Sequence, residues 1–301
     1  MKQLSLKTFL RKYPNNEACL EEIKTFVFPN GISCPICKKM TNFYKLEGRM
    51  AYSCGICRTQ VYPLKNTIFE KSTTVLRTWF YVMWVMSKTR SGISARQIQR
   101  EVGVTYKCAF RMCHQIRKLM ADDGEPMDGT NESDETYIGG EGKNKRYVPD
   151  YNEKPKEIVM GILQRGGKIH LRHIPNTGRW TILKQIKENI ATDATIYTDQ
   201  LGAYKQLTQY GYKHSFVNHR ETYVIKGTDI HTNSIEGFWS IFKRGVTGVY
   251  THISPRYLQH YADEYGFRYG NRKADDMFIE MLRQIALKKA LKVEQLSLIN
   301  Q

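Results

Sequence analysis

The chain is predicted to be an α/β protein whose larger, second part builds a mixed sheet covered by helices. A small metal-stabilised unit and a helical segment precede it. Three observations lead there. Beyond residue 122 three strand-like runs follow one another, then a helix, a further strand and more helices. Two Cys-x-x-Cys pairs, with sixteen residues between them, fall within the first sixty. Residues 73–120 carry apolar patterns of helical spacing, interrupted at Gly92. With 301 residues, 41% of them hydrophobic, the chain can bury more than one core.

Composition narrows the function classes. The longest apolar run, Trp79 to Met86, is far short of the roughly 20 residues that span a bilayer. The N-terminal stretch lacks the apolar core of a secretory signal. A soluble, cytoplasmic protein without a membrane partner is expected. Its formal net charge is +17, and the excess is local. Residues 1–120 hold 21 Lys/Arg against 6 Asp/Glu, whereas residues 121–301 hold 25 against 23. Solubility alone would spread that charge. A polyanion docking on the first part explains the asymmetry better, and nucleic acid is the commonest such partner.

Seven cysteines is an odd count, which argues against a complete disulfide framework. Cys34-Pro-Ile-Cys37 and Cys54-Gly-Ile-Cys57 form two knuckles able to offer four thiolates tetrahedrally to Zn²⁺. The aromatic segment between them reads as a short hairpin, so the layout is that of a zinc ribbon. Four thiolates leave no open position, and the zinc is expected to be structural. Cys19, Cys108 and Cys113 read as packed small residues.

In the helical segment, Val75 to Met86 is too apolar for a surface helix. After the break at Gly92, Ser94 can cap a helix over 95–101 and Thr105 a second one through Leu119. Ile98 and Val102 would pack on Phe110 and Ile116 in a helix-turn-helix-like angle. The second helix would then present Tyr106, Lys107, Arg111, Gln115 and Lys118 outward to DNA.

Asp122 to Pro126 reads as a linker. Strands are expected over 131–138, 158–163, 168–174 and 194–199, with a shorter one near 214–217. Gly166-Gly167 marks a hairpin, and residues 141–146 a polar, mobile loop. Helices are expected over 177–190, 201–210, 233–246 and 255–269. This order describes a ribonuclease-H-like mixed sheet with carboxylates at strand ends.

The helix opening near His231 has one apolar face, made by Ile235, Phe238, Trp239, Phe242 and Val246. Glu236 and Lys243 lie about two turns apart on a separate polar stripe. Glu236 reads either as a metal ligand or as an N3 cap partnering Asn233 at the N-cap. Asp134 and Asp199 on neighbouring strands, with Glu236, would bring three carboxylates together. Such a cluster is costly alone and suits two Mg²⁺ ions in phosphodiester chemistry, Mn²⁺ being the alternative ion. Glu132, on the same strand face, competes with Asp134, and Glu135 should face the other way.

The blocks Asp134-Glu-Thr-Tyr-Ile-Gly-Gly140, Tyr197-Thr-Asp199 and His231-Thr-Asn-Ser-Ile-Glu-Gly-Phe-Trp-Ser-Ile-Phe-Lys-Arg244 resemble the DDE transposases of bacterial insertion sequences. The nearest resemblance is to the ISXO-like group, insertion-sequence family fifteen-ninety-five, and it continues through Tyr257-Leu258, Glu264-Tyr265, Phe267-Arg268-Tyr269 and Asn271-Arg272. It implies a zinc ribbon before a ribonuclease-H-like catalytic domain. It also implies catalytic Asp134, Asp199 and Glu236 holding Mg²⁺, with Lys243 contacting DNA beside Arg244. The expected plan is a zinc-ribbon region over 1–71, a helical DNA-binding segment over 72–121, and a catalytic domain with C-terminal helices over 122–301. The expected function is binding of the element's terminal inverted repeats, with cleavage and strand transfer of double-stranded DNA by a dimer or larger assembly. The alternatives are a nuclease of the same fold that cuts without joining, and a zinc-ribbon regulator with an inactive catalytic domain.

Overall fold

The computed structural model describes residues 4–122, 124–139, 156–218 and 227–299; the loop expected over 141–146 lies outside them. The chain divides into two compact units. The first comprises residues 1–90, 95–119 and 273–301, the second residues 91–94 and 120–272. The grouping differs from the one suggested by sequence, because the final helix packs with the first unit.

In that unit, α1 (Leu6–Lys12) starts at Ser5, whose hydroxyl accepts the Thr8 N–H at 3.2 Å. Asn15 accepts the Ala18 N–H at 2.9 Å and starts α2 (Asn16–Val27), which buries Cys19, Leu20 and Ile23. The ribbon's strands β1 (Phe43–Lys45), β2 (Tyr52–Cys54) and β3 (Gln60–Val61) form an antiparallel sheet. The long helix α3 (Leu76–Lys88) is buried on most sides, as its unbroken apolar run requires. Next come α4 (Ala95–Val102) and α5 (Tyr106–Leu119), packed on each other. Gly103 turns the chain between them at φ 68°, and Thr105 Oγ1 accepts the Cys108 N–H at 3.3 Å. Ile98 and Ile116 are fully buried in the angle; Tyr106, Lys107, Arg111 and Lys118 are exposed and Gln115 half-buried. Helix α9 (Met277–Ile299) packs on α2, α3 and α5. Its Phe278 ring lies 6.1 Å from Phe9, 5.8 Å from Tyr13 and 5.7 Å from Phe80, joining the first and last helices in one aromatic core.

The second unit is organised by a five-stranded sheet. Its strands are β4 (Thr130–Ile138), β5 (Glu157–Gln164), β6 (Ile169–Ile174), β7 (Thr195–Thr198) and β8 (Lys213–Phe216). Their spatial order is β6-β5-β4-β7-β8. The first three run antiparallel, and β7 and β8 run parallel to β4. That is the ribonuclease-H arrangement. Gly166, at φ 76°, closes the β5–β6 turn. A parallel neighbour for β4 needs a crossover, and α6 (Arg179–Asn189) supplies it.

Alternation in β5 divides the core in two. Met160 and Ile162 face Ile182, Ile186, Tyr204 and Leu207. Val159 and Leu163 face α7 (Asn233–Gly245) and α8 (Pro255–Gly270) through Ile235, Phe238, Trp239, Phe242 and Leu258. The expected apolar face of α7 is thus its core face. One π-helical turn, Val246–Tyr250, continues it. The expected helix over 201–210 is instead two short 3₁₀ turns, Gly202–Tyr204 and Leu207–Tyr210, ended by Gly211 at φ 89°. Tyr204 and Leu207 are both buried there, a three-residue spacing that 3₁₀ geometry satisfies.

Gly161 in β5 is where α7 comes closest to the sheet. A Cβ there would lie 2.7 Å from the Trp239 ring and 3.1 Å from Ile235 Cδ1. Gly161→Ala is therefore expected to destabilise the protein by about 1–3 kcal/mol, as overpacking does, measured by denaturant unfolding.

Candidate active site and metal centre

The two knuckles bring Cys34, Cys37, Cys54 and Cys57 together, with all four sulfurs within 4.8 Å of one another. Cys34 and Cys57 are 3.4 Å apart, Cys37 and Cys54 3.8 Å. Four sulfurs bound tetrahedrally at about 2.3 Å would be separated by roughly 3.8 Å, so the quartet fits Zn²⁺. The hydroxyl and backbone N–H of Thr59 draw the Cys57 thiol down to about 6, whereas the neighbouring Cys34 thiol pushes Cys37 up to about 12. Sulfurs so crowded share protons unless a cation replaces them.

The carboxylates belong to the second unit. β4 and β7 pair in parallel up to Ser133 and Thr198, so Asp134 and Asp199 follow side by side where β7 ends. Asp134 thus stands within β4 rather than at its end, in a stretch that β7 no longer covers. The Leu201 N–H holds Asp199 Oδ1 at 2.9 Å, and Trp239 Nε1–H donates to Asp134 Oδ2 at 3.0 Å. Burial, then the charge of Asp199, push the Asp134 carboxyl up to about 6; Glu236 adds to the rise, and the Trp239 hydrogen bond opposes it. All three carboxylates therefore share one electrostatic neighbourhood, although their oxygens do not meet the 4.8 Å mutual spacing of the cysteine quartet. A concentration of negative charge at the edge of solvent suits a divalent cation.

Glu236 lies one turn inside α7, half-buried, accepting the Thr232 hydroxyl at 3.0 Å. The residue preceding the helix is Thr232, not Asn233 as expected from the capping pattern. Asn233 is exposed and already helical, its N–H directed to His231 Nδ1 at 3.3 Å, so Glu236 is not at N3. Lys243 and Arg244 are exposed near the helix end, Lys243 about 10 Å beyond Glu236 along the axis.

Glu132 shares Asp134's face but has another use. It is wholly buried, and Arg165 Nε donates to its Oε1 at 2.7 Å. The Ile235 N–H, in the first turn of α7, donates to its Oε2 at 3.0 Å. Arg165 also donates to the Asp229 carboxylate at 2.6 Å and to the His231 carbonyl at 2.9 Å. Glu132 thus caps α7 from the sheet, where an anion is favoured by the helix dipole. Glu135 faces the opposite way, accepting the Tyr204 hydroxyl. Burial pushes its carboxyl up to about 8 against that hydrogen bond, helped by the charges of Asp134 and Asp199.

The two regions match known protein families. Residues 126–270, which include Asp134, Asp199, Glu236 and Lys243, match the ISXO2-like transposase domain. Residues 14–60, which include all four ribbon cysteines, match the transposase zinc-ribbon domain. The chain belongs to the ISXO2-like transposases. The chain is also similar to an uncharacterized protein in transposable element ISH50 of Halobacterium salinarum. It is 24% identical over 231 residues, covering 71% of this chain and 78% of that protein. Among solved structures, the simian T-cell lymphotropic virus intasome in complex with PP2A regulatory subunit B56 gamma is 10% identical, with a TM-score of 0.29 over 57% of this chain and 67% of that one. A pre-cleavage Mos1 transpososome is 9% identical, with a TM-score of 0.28 over 72% of this chain and 78% of that one. At those scores the likeness is too slight to carry an argument.

For this transposase, sequence patterns singled out the cysteines and the carboxylates but passed over Arg165, Thr232 and Trp239. Arg165 precedes two glycines and reads as an ordinary turn residue. Trp239 reads as core, which it is, and its indole N–H emerges beside Asp134 only through packing.

Two outcomes follow from this geometry. Cys34→Ser or Cys57→Ser should lose bound zinc and unfold the ribbon while the five-stranded sheet persists, seen as lost metal in elemental analysis with retained far-UV dichroism from the second unit. Glu132→Ala should cost about 3–5 kcal/mol in chemical unfolding, because it breaks the buried ion pair and leaves Arg165 Nε and the Ile235 N–H without an acceptor. Adding Arg165→Ala should cost less than the sum of the two single changes.

Proposed function

We propose that the protein binds the terminal inverted repeats of its own element and catalyses Mg²⁺-dependent DNA cleavage followed by strand transfer. The observation that carries this reading is the parallel register of β4 and β7, which sets Asp134 beside Asp199 where β7 ends, with Glu236 near enough to add its charge to theirs. Asp134, Asp199 and Glu236 are the proposed ligands. Mg²⁺ held there would supply activation of the attacking oxygen and charge neutralisation at the departing one.

In cleavage, water attacks the phosphorus at the element end, and the P–O3′ bond breaks to leave a 3′-hydroxyl and a 5′-phosphate. In transfer, that 3′-hydroxyl attacks a target phosphodiester and displaces the target's 3′-oxygen, so no net bond energy is required. The chain's own contribution is positioning. Glu132 and Arg165 hold the start of α7, Trp239 fixes one Asp134 oxygen, and the Leu201 N–H fixes one of Asp199. Lys243 and Arg244, exposed on α7, are proposed to hold the phosphate backbone.

Lys107, Arg111 and Lys118 on α5 are proposed as DNA contacts of the first unit. Arg111 is already steadied by the Ser72 hydroxyl at 3.1 Å and by the Trp79 ring at 5.4 Å. Joining two ends requires both to be held at once, so a dimer or larger assembly on DNA belongs to this proposal.

The test is incubation of full-length protein with labelled element-end duplex, target plasmid and Mg²⁺. Joined product supports a transposase reaction, cut ends alone a nuclease, and a gel shift without chemistry a regulator. Glu236→Gln, Asp134→Asn and Asp199→Asn should each keep DNA binding yet lose cleavage by at least the roughly 100-fold that disturbing a metal's outer shell can cost. Asn233→Ala, altering an exposed residue beside the site, should leave measurable chemistry. Activity retained in Glu236→Gln and lost in Asn233→Ala would move the third ligand to Asn233.

A further inference from the structure

Beside Asp199, on the edge of the sheet, an open cleft of about 230 Å³ is lined by Asp199, Gln200, Leu201, Lys205, His214 and Phe216. Phe216 ends the edge strand β8 and is 51% exposed, in a unit where Phe238 and Phe242 are buried and Phe267 is half-buried. The His214 ring stands 6.4 Å from the Phe216 ring, tilted by 34°, so two aromatic faces border the same opening. Lys205 contributes a cation at its rim.

The polar groups are set as well. The Thr198 hydroxyl donates its one proton to the Asp199 carbonyl at 2.7 Å. Toward His214 it can only accept, so His214 Nε2 carries the proton in their 2.9 Å contact. Neutral His214 then keeps a lone pair on Nδ1, and burial favours that neutral form. The opening therefore combines a flat apolar platform, a ring with a free acceptor, an amide at Gln200 and a cation. Its volume admits one unstacked base and excludes a duplex.

We propose that this cleft receives a DNA base extruded from the duplex next to the phosphate cut at Asp199, stacked on Phe216 with its backbone held by Lys205. The proposal rests on the cleavage reading above. Asp199, Gln200 and Leu201 form both the edge of the carboxylate site and the wall of the cleft, so the base belongs to a nucleotide neighbouring the cut. An aromatic platform suits any base, because each has a π-face, and extrusion relieves the duplex of stacking around the reacting phosphate.

The experiment uses the full-length protein and element-end duplexes with 2-aminopurine placed in turn at each position flanking the cut. Asp134→Asn keeps the bound duplex intact during the measurement. The expected result is a rise in fluorescence on binding, confined to one or two adjacent positions. Phe216→Ala should abolish that rise and slow cleavage about tenfold in the otherwise unaltered protein, whereas Phe216→Trp should keep both. An abasic site at the same position should restore much of the Phe216→Ala rate, since nothing then needs to be unstacked.

No rise at any position, or a rise that Phe216→Ala leaves unchanged, overturns the proposal. Wild-type protein that binds without cutting overturns the cleavage reading, and 2-aminopurine tiled along the terminal repeat still decides the cleft. Failure to bind the duplex at all overturns both.

Discussion

The carboxylate of Glu132, buried without access to water, is the interaction on which the second unit depends. An ionised group in that position costs several kcal/mol unless its partners are in place. Its partners come from two other elements: Arg165 from the β5–β6 turn and the Ile235 N–H from the start of α7. Strand, turn and helix must therefore come together for any of them to be satisfied. Once they do, α7 is fixed in axial position and rotation, and Trp239 and Glu236 stand where they do relative to β4. Two acids two residues apart on one face thus differ in kind. Glu132 is fully paired and belongs to the scaffold, whereas Asp134 receives the Trp239 N–H and is left short of positive charge. The proposed chemistry uses the second because the first has been spent.

Much of this was legible in the residues. Cysteine spacing predicts a ribbon because a knuckle is local geometry, and the apolar face of α7 is local for the same reason. The strands of the sheet could be read from alternation and turn residues, and the order of elements pointed to a ribonuclease-H-like sheet. That Asp134 and Asp199 stand side by side was not a local fact. It depends on β7 crossing over to run parallel to β4, which the order of elements suggested and the pairing of the two strands fixes. Glu132 could not be told from Asp134 by sequence, since both occupy one strand face; only the position of Arg165, thirty-three residues on, distinguishes them.

The failures have similar causes. Leu201 to Tyr210 has enough apolar residues for a helix, but packing of Tyr204 and Leu207 against one sheet face selects tighter turns. Asn233 has the composition of a cap, yet the chain turns one residue earlier because the Asn233 N–H is taken by His231. Helices α1 and α2 carry readable caps at Ser5 and Asn15, signals easily lost beside the stronger cysteine pattern. The partners of α9 cannot be read locally at all, since they lie far back along the chain in α2, α3 and α5.

That last feature has a bearing on the order in which the molecule takes shape. Synthesis proceeds from the amino end at about 5–20 residues per second, and domains generally close as their residues emerge. The sheet unit, apart from residues 91–94, is drawn from 120–272 and can be completed as soon as it leaves the ribosome. Phe9, Tyr13 and Phe80 emerge long before it, but their aromatic core lacks Phe278 until after the sheet unit has been made. During translation those rings remain open to solvent or to helper proteins. The first unit is therefore sealed after the second, and a nascent chain acquires its sheet before its full helical scaffold.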